Sequence, residues 1–287
     1  DLTEAPAHWG DIRQHAFYNF VYHLNILLNN RAFPRFQSHR AESVAEEFRT
    51  YLRRLLLHPI DIIKRQITTR RIKNSGQAYH LVLMQLEHDS AFLMHSPFKS
   101  MPEFLQCVIE GFAAGAPRHH RLVFKAHPLE SGRRALARDI AALAARYKIE
   151  DRVHFVPGGK LAQLLDHARS AVTVNSTAGQ QALWRGLPLK AFGQAVYDKP
   201  QFVSDLPLEE FFAEPPYPDN AAYLDYRRYL LETSQLPGGF YSIRGRRQLL
   251  RQVIDMLLSD LDPFESFEYG NSASLSAREN KNSHHTD

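Results

Sequence analysis

The chain has 287 residues, 44% of them hydrophobic, enough to bury one large or two modest cores. No apolar run approaches the roughly 18–20 residues that span a bilayer, and no signal-peptide pattern is present. A single cysteine, Cys107, excludes an internal disulfide or a multi-cysteine metal site, and with a mild net charge of +4 no nucleic-acid partner is expected. A reducing, cytoplasmic setting fits. The chain does not begin with Met, and its first residues read as the interior of a longer protein, so a segment before Asp1 is expected.

Residues 1–77 read as helical. Phe17, Phe20, Val21, Leu24, Leu27 and Leu28 recur at helical spacing, and further helix follows over 44–57 until Pro59 breaks it. Between Tyr51 and Lys73 stand Arg53, Arg54, Lys64, Arg65, Arg70, Arg71 and Lys73 against Asp61 alone, interleaved with Leu55, Leu56, Leu57, Ile60, Ile62 and Ile63. That stretch suits an anionic bilayer surface, or is a solvated helix face.

Asn74-Ser75-Gly76 then punctuates the chain, and alternating elements begin. Strand 79–86 and a loop to Ser100 lead to helix 102–114, strand 121–125, helix 132–147 and strand 153–156. A short helix 161–169, strand 171–174, helix 180–185 stopped by Gly186, and strand 187–192 follow. Apolar strands alternating with helices predict an α/β fold with one Rossmann-type parallel sheet over 78–198, preceded by the helical N-terminal region. Residues 207–241, rich in Pro and aromatics, read as an extended loop with a short helix, and 246–258 as a closing amphipathic helix. The organisation expected is a helical region 1–77, a Rossmann-like domain 78–260, and a disordered Ser-, Asn-, Lys- and His-rich tail 261–287.

In an open parallel sheet, ligands bind at the carboxyl ends of the strands. Polar loops fall there in this chain. They are Leu86-Glu87-His88-Asp89-Ser90, Ala126-His127-Pro128-Leu129-Glu130 directly after Lys125, Pro157-Gly158-Gly159-Lys160, and Asn175-Ser176-Thr177 leading to Gly179. Ser176 or Thr177 as N-cap leaves free amides and the positive end of a helix dipole, a corner suited to phosphate; Ser-Thr-x-Gly is equally an ordinary cap. Pro128 biases His127 toward an extended backbone, which makes it either a fixed donor to an anion or a surface histidine before a helix. Asp89 reads as a nucleophile or general base at a sugar carbon, or as a turn or N-cap aspartate. Pro157-Gly158-Gly159 either admits a flat base against the backbone or forms a tight turn. His119 and His120 read as loop residues without a catalytic role. No metal is expected: Glu4/His8 and Asp11/His15 have i, i+4 spacing but read as solvated helix faces.

Taken together, Q-L-E-H-D-S (85–90), K-A-H-P (125–128) and V-N-S-T-A-G-Q-Q-A-L-W-R-G-L-P-L-K-A-F-G-Q-A-V-Y-D (174–198) resemble the capsule polysaccharide biosynthesis and export family of Gram-negative bacteria (KpsS/KpsC/LipB type). The match covers about residues 78–200, and its last segment is the most specific. The resemblance implies a GT-B-like glycosyltransferase that uses CMP-β-Kdo to build a β-Kdo linker on a phosphatidylglycerol-type lipid, with the nucleotide on the domain visible here. It implies that His127, with Ser176 and Thr177, contacts the CMP phosphate, and that Asp89 lies at the reacting carbon as the nucleophile of a retaining mechanism. Lys125 and Lys160 would offset the charge growing on the departing phosphate. Asn175, Gly179, Pro157 and Gly158 would line the same donor site. No cofactor beyond the CMP-sugar substrate is expected. The partners expected are CMP-Kdo, an anionic lipid acceptor, the inner-membrane surface and other capsule assembly or export proteins, and the location is cytoplasmic, peripheral to the inner membrane. Two rivals are a transferase using another nucleotide sugar, such as CMP-sialic acid or a UDP-sugar, and a non-catalytic export scaffold.

Overall fold

The structure is a computed structural model that describes residues 12–29, scattered positions between 32 and 63, 66–128, 130, 133–158, 160–239 and 243–269. Most of 51–73, the pair Glu4/His8, Asp11 of the pair Asp11/His15, and Gly159 lie outside the described residues. The chain divides into two compact units, His58–Tyr223 and Asp1–Leu57 with Leu224–Asp287.

Within the first of these, each apolar run becomes a parallel strand: β1 (Tyr79–Leu83), β2 (Arg121–Lys125), β3 (Val153–Val156), β4 (Ser170–Thr173) and β5 (Leu189–Ala191). They form one sheet in the order β3-β2-β1-β4-β5. Strands covered on both faces read as continuous apolar runs rather than alternating ones, which is why Leu81, Val82, Leu122, Val123, Phe124, Ala171 and Val172 are all fully buried. One face meets α4 (Met101–Gly115) and α8 (Leu208–Ala213), where Phe104, Val108, Phe112, Phe211 and Phe212 pack on Val82, Leu122, Phe124 and Val172. Gly111 and Gly115 let these helices touch, since a Cβ at either would run into Leu208 or the Glu209 backbone. The chain's other helices of this unit are α2 (66–74), α3 (Ser90–His95), α5 (Arg133–Arg146), α6 (Leu161–Leu165) and α7 (Ala178–Leu183). α7 packs on β4, β5 and α6.

A polar cluster sits at the amino ends of the strands. His80, fully buried on β1, meets Ser170 Oγ through Nδ1 at 2.8 Å and His120 Nδ1 through Nε2 at 3.0 Å. The rings of Phe112 and Phe212 enclose it edge-on. Arg152 ties the neighbouring loop by donating to the carbonyls of His120, Ala116 and Pro117, with its guanidinium 4.6 Å from the Phe112 ring centre. His120 thus lies in the loop before β2, as expected, but is buried there and hydrogen-bonded to His80 rather than exposed.

Three segments depart from the sequence expectation. The loop to Ser100 contains α3, started by Asp89, whose Oδ1 accepts from the Ala91 amide at 3.2 Å. Residues 207–241 hold two helices, α8 and the longer α9 (Asn220–Thr233), rather than an extended loop with one short helix. Asp219 starts α9 by accepting from the Ala222 amide at 2.9 Å, and the prolines of this segment flank the helix, with Pro207, Pro215, Pro216 and Pro218 before it and Pro237 after it. After α10 (Ile243–Leu257), the expected disordered tail begins with a helix α11 over 263–269. There Asp262 Oδ1 caps Phe264 and Glu265, and Phe264 and Phe267 meet the Tyr229 ring. Aromatic ring contacts offset the polar composition locally. Residues 270–287 lie outside the described residues.

Candidate functional site

Register sets the geometry of the carboxyl rim. Val156, Lys125, Leu83, Thr173 and Ala191, the last or near-last residues of their strands, are aligned across the sheet. With strands about 4.8 Å apart, the loops after β2, β1 and β4 emerge within about 10 Å of one another. The order β3-β2-β1-β4-β5 reverses direction between β1 and β4, the switch point at which such sheets hold ligands. Asp89 and Ser176 lie on the two loops that flank that point. His127 lies one strand over, in a turn closed by the Glu130 amide donating to its carbonyl at 3.0 Å.

The floor of the crevice is an amide clasp. Gln85 Nε2 donates to Asn175 Oδ1 at 2.6 Å, and the Asn175 amide donates back to Gln85 Oε1 at 3.1 Å, with both side chains 5% exposed. Asn175 Nδ2 also donates to Ala91 O at 2.7 Å, and the Gln194 amide to His95 O at 3.0 Å. Both ends of α3 are thus tied to the loops after β4 and β5, which fixes Asp89 at its N-cap. Asp89 itself is exposed. Asn175 orients the loops; Gln85 does so with it and was not among the candidate residues, although an amide ending an otherwise apolar strand was the available signal.

The corner 174–179 is held from several sides. Thr173 Oγ1 donates to Leu83 O at 3.0 Å and accepts from the Ser176 amide at 3.3 Å, while Tyr197 Oη donates to Ser176 O at 2.5 Å. The Ala178 amide is bonded to Ser176 Oγ at 3.3 Å and the Gly179 amide to Ser176 O at 2.9 Å. The free amides expected at this corner are therefore largely consumed within the turn, and α7, at six residues, is a short dipole. Thr177 is the N-cap residue by position but makes no side-chain capping bond, and it is exposed. What the corner offers an anion is hydroxyl groups more than a row of amides.

Gly179 serves packing. A Cβ there would lie 2.5 Å from Tyr197 Oη and 2.7 Å from its Cζ, and Tyr197 is 1% exposed. Gly179→Ala should therefore lower stability by about 1–3 kcal/mol through overpacking, although alanine is the better helix former. Urea unfolding checks this: a variant more stable than the wild type would show that the ring yields freely.

The remaining candidates lie on the β2 and β3 side of the rim. Lys125 is 6% exposed, with Nζ 3.4 Å from Ala126 O. Gly158 has φ +126, a backbone conformation that favours glycine, and its amide bonds to Val156 O at 2.8 Å, so Pro157-Gly158 forms a tight turn. Lys160 is exposed at the N-cap of α6 without a side-chain cap. No group of three or more His, Cys, Asp and Glu placed for a metal ion occurs among the described residues. No helix among them is long and apolar enough to cross a membrane. A cleft of about 360 Å³ lined by Arg71, Tyr79, Arg121, Asp151 and His154 lies at the opposite, amino end of the strands and is remote from this rim.

A Rossmann-type parallel sheet with polar loops astride its switch point defines an α/β protein of the class whose ligands bind, as a rule, at the carboxyl rim. This chain belongs to the capsule polysaccharide biosynthesis protein family, whose sequence profile matches residues 4–241. It is 30% identical over 210 residues to the capsule polysaccharide export protein KpsS of Escherichia coli, covering 73% of this chain and 54% of that one. It is 31% identical over 226 residues to the capsule polysaccharide modification protein LipB of Neisseria meningitidis serogroup B, covering 77% and 53%. The chain thus spans about half the length of the curated relatives it matches. Among solved structures, it is similar to Thermosulfurimonas dismutans KpsC, beta Kdo 2,7 transferase, at 17% identity and a TM-score of 0.38 over 81% of this chain and 66% of that one.

Proposed function

We propose that this chain carries the donor-binding half of a capsule glycosyltransferase that transfers Kdo from CMP-Kdo to a phosphatidylglycerol-type lipid or to a Kdo linker. Family membership supplies the capsule context. The observation that carries the reading is the in-register rim, which brings the Asp89, His127 and Ser176 loops together around the β1/β4 switch point. Bond cleavage at the sugar's anomeric carbon leaves a phosphate monoester on CMP, and its growing charge needs donors already in place. His127 and the hydroxyls of Ser176 and Thr177 fill that role, with Lys160 and Lys125 adding positive charge at the edge. The clasp of Gln85 and Asn175 holds the two flanking loops at fixed separation, so little reorganisation is needed when donor binds.

Calorimetric titration with CMP and UDP tests the reading. CMP is expected to bind and UDP not. His127→Ala should weaken CMP by about 1–3 kcal/mol, the cost of removing one partner of a hydrogen bond to a charged group. UDP binding in place of CMP would point to another nucleotide sugar, and the absence of both to a scaffold. Unchanged CMP affinity in His127→Ala would remove that residue from the site.

A further inference from the structure

The inward side of α10 is marked by Gly245 and Leu249. A Cβ on Gly238 would meet Leu249 Cβ at 2.8 Å and Gly245 O at 3.0 Å, and Gly245 is buried. At 100° per residue, the opposite side carries Ile243, Arg247, Leu250, Arg251 and Ile254, with Leu258 one turn further on. A side turned to water ordinarily carries polar residues. Here Ile243, Leu250, Ile254 and Leu258 are 50%, 58%, 51% and 79% exposed, and Leu257 beside them is 78% exposed. Arg247 and Arg251 are exposed among them, and residues 243–258 hold Arg244, Arg246, Arg247 and Arg251 against Asp255 alone.

We propose that this face is a lipid-surface contact: α10 lies in the headgroup layer of an anionic bilayer, with Leu250, Ile254 and Leu257 at the acyl boundary. An amphipathic helix with arginines beside an apolar stripe binds in this way. Charge decides the occupant. Docked into a protein groove or on a second copy, Arg247 and Arg251 would be desolvated together with the leucines, at a cost that only well-placed carboxylates offset. At a bilayer, their stems lie along the apolar surface while the guanidiniums stay hydrated beside lipid phosphates. Neither this reading nor that of the donor rim depends on the other.

The test is co-sedimentation with vesicles of phosphatidylglycerol in phosphatidylcholine, against phosphatidylcholine alone, at low and high salt. The protein is expected to bind the anionic vesicles and to be released by salt. Leu250→Asn/Ile254→Asn should lower the partition coefficient by about tenfold or more, since two buried aliphatic side chains are lost from the interface. Arg247→Gln/Arg251→Gln should lower it by about fivefold per arginine. All four side chains are exposed, so circular dichroism and melting should match the wild type, and the basic stretch 51–73 is intact in both variants. Three outcomes overturn the proposal: no binding of the wild type to anionic vesicles, unchanged binding in both variants, or a wild-type dimer in sedimentation velocity that Leu250→Asn/Ile254→Asn dissociates. Nucleotide titration reads the donor rim independently, so failure of one reading leaves the other standing.

Discussion

Asp89→Asn is expected to abolish sugar transfer by several orders of magnitude while leaving CMP affinity and melting temperature nearly unchanged. The structure makes this a clean experiment. Asp89 Oδ1 caps α3 by accepting from the Ala91 amide, and asparagine caps a helix about as well as aspartate, so the fold should tolerate the exchange. The far end of α3 and its first turn are held by Gln194 and Asn175 regardless of the charge at position 89. What the exchange removes is the negative charge that would attack, or stabilise, an oxocarbenium-like anomeric carbon as CMP leaves. Transfer from CMP-Kdo, followed by release of CMP, is the measurement. Turnover near the wild-type rate would leave Asp89 with its capping role alone, and Glu87 would become the carboxylate to examine. Asp89→Ala separates the two roles further: it should lose about 1 kcal/mol of stability with the cap, as well as activity.

The second large effect concerns acid stability and lies at the other end of the sheet. Burial first, then the neighbouring His120, Arg169 and Arg152, push the His80 imidazole down to about 3. Burial, then His119 and the same arginines, push His120 down to about 4. In the unfolded chain both take up a proton near pH 6.5. Between that value and the folded ones, the unfolded state binds more protons, so stability is present at neutral pH and is lost as pH falls. For His80 alone the loss reaches about 3 kcal/mol near pH 4.5. Urea midpoints measured from pH 7 to about pH 4.5 should fall steeply in the wild type. His80→Gln keeps a hydrogen-bonding side chain toward Ser170 but cannot titrate, so it should be less stable at pH 7 and show a shallower acid limb. An equally steep limb in His80→Gln would place the acid sensitivity elsewhere in the chain.

Much of the sheet was legible in the sequence. Runs such as Leu81–Leu83, Leu122–Phe124 and Ala171–Val172 announce strands buried on both faces, because only a parallel sheet with helices on each side covers both rows of side chains. β2 and β3 fall at the residues expected. Capping aspartates were harder to read. Asp89, whose N-cap role was one of several open readings, starts a helix in a segment read as loop, and Asp219 starts a second helix in a segment read as loop with one short helix, because one hydrogen bond to a nearby amide outweighs the turn preference of Ser, Pro and Asn around it.

Local sequence thus determined the α/β class, the polar loops at strand ends and the family. The tertiary structure decided the rest. The strand order, and with it the position of the β1/β4 crevice, depends on pairings between segments that no local pattern encodes. Gln85 and Asn175 stand 90 positions apart and become partners only when β1 and β4 lie side by side. The same holds for the amides of 176–179, which the sequence leaves open and the folded turn largely consumes, and for Gly179, whose missing side chain makes room for Tyr197. Hydrogen bonds and close contacts are satisfied by whichever groups the fold brings within reach, so their assignment is a property of the packed chain and not of its spacing.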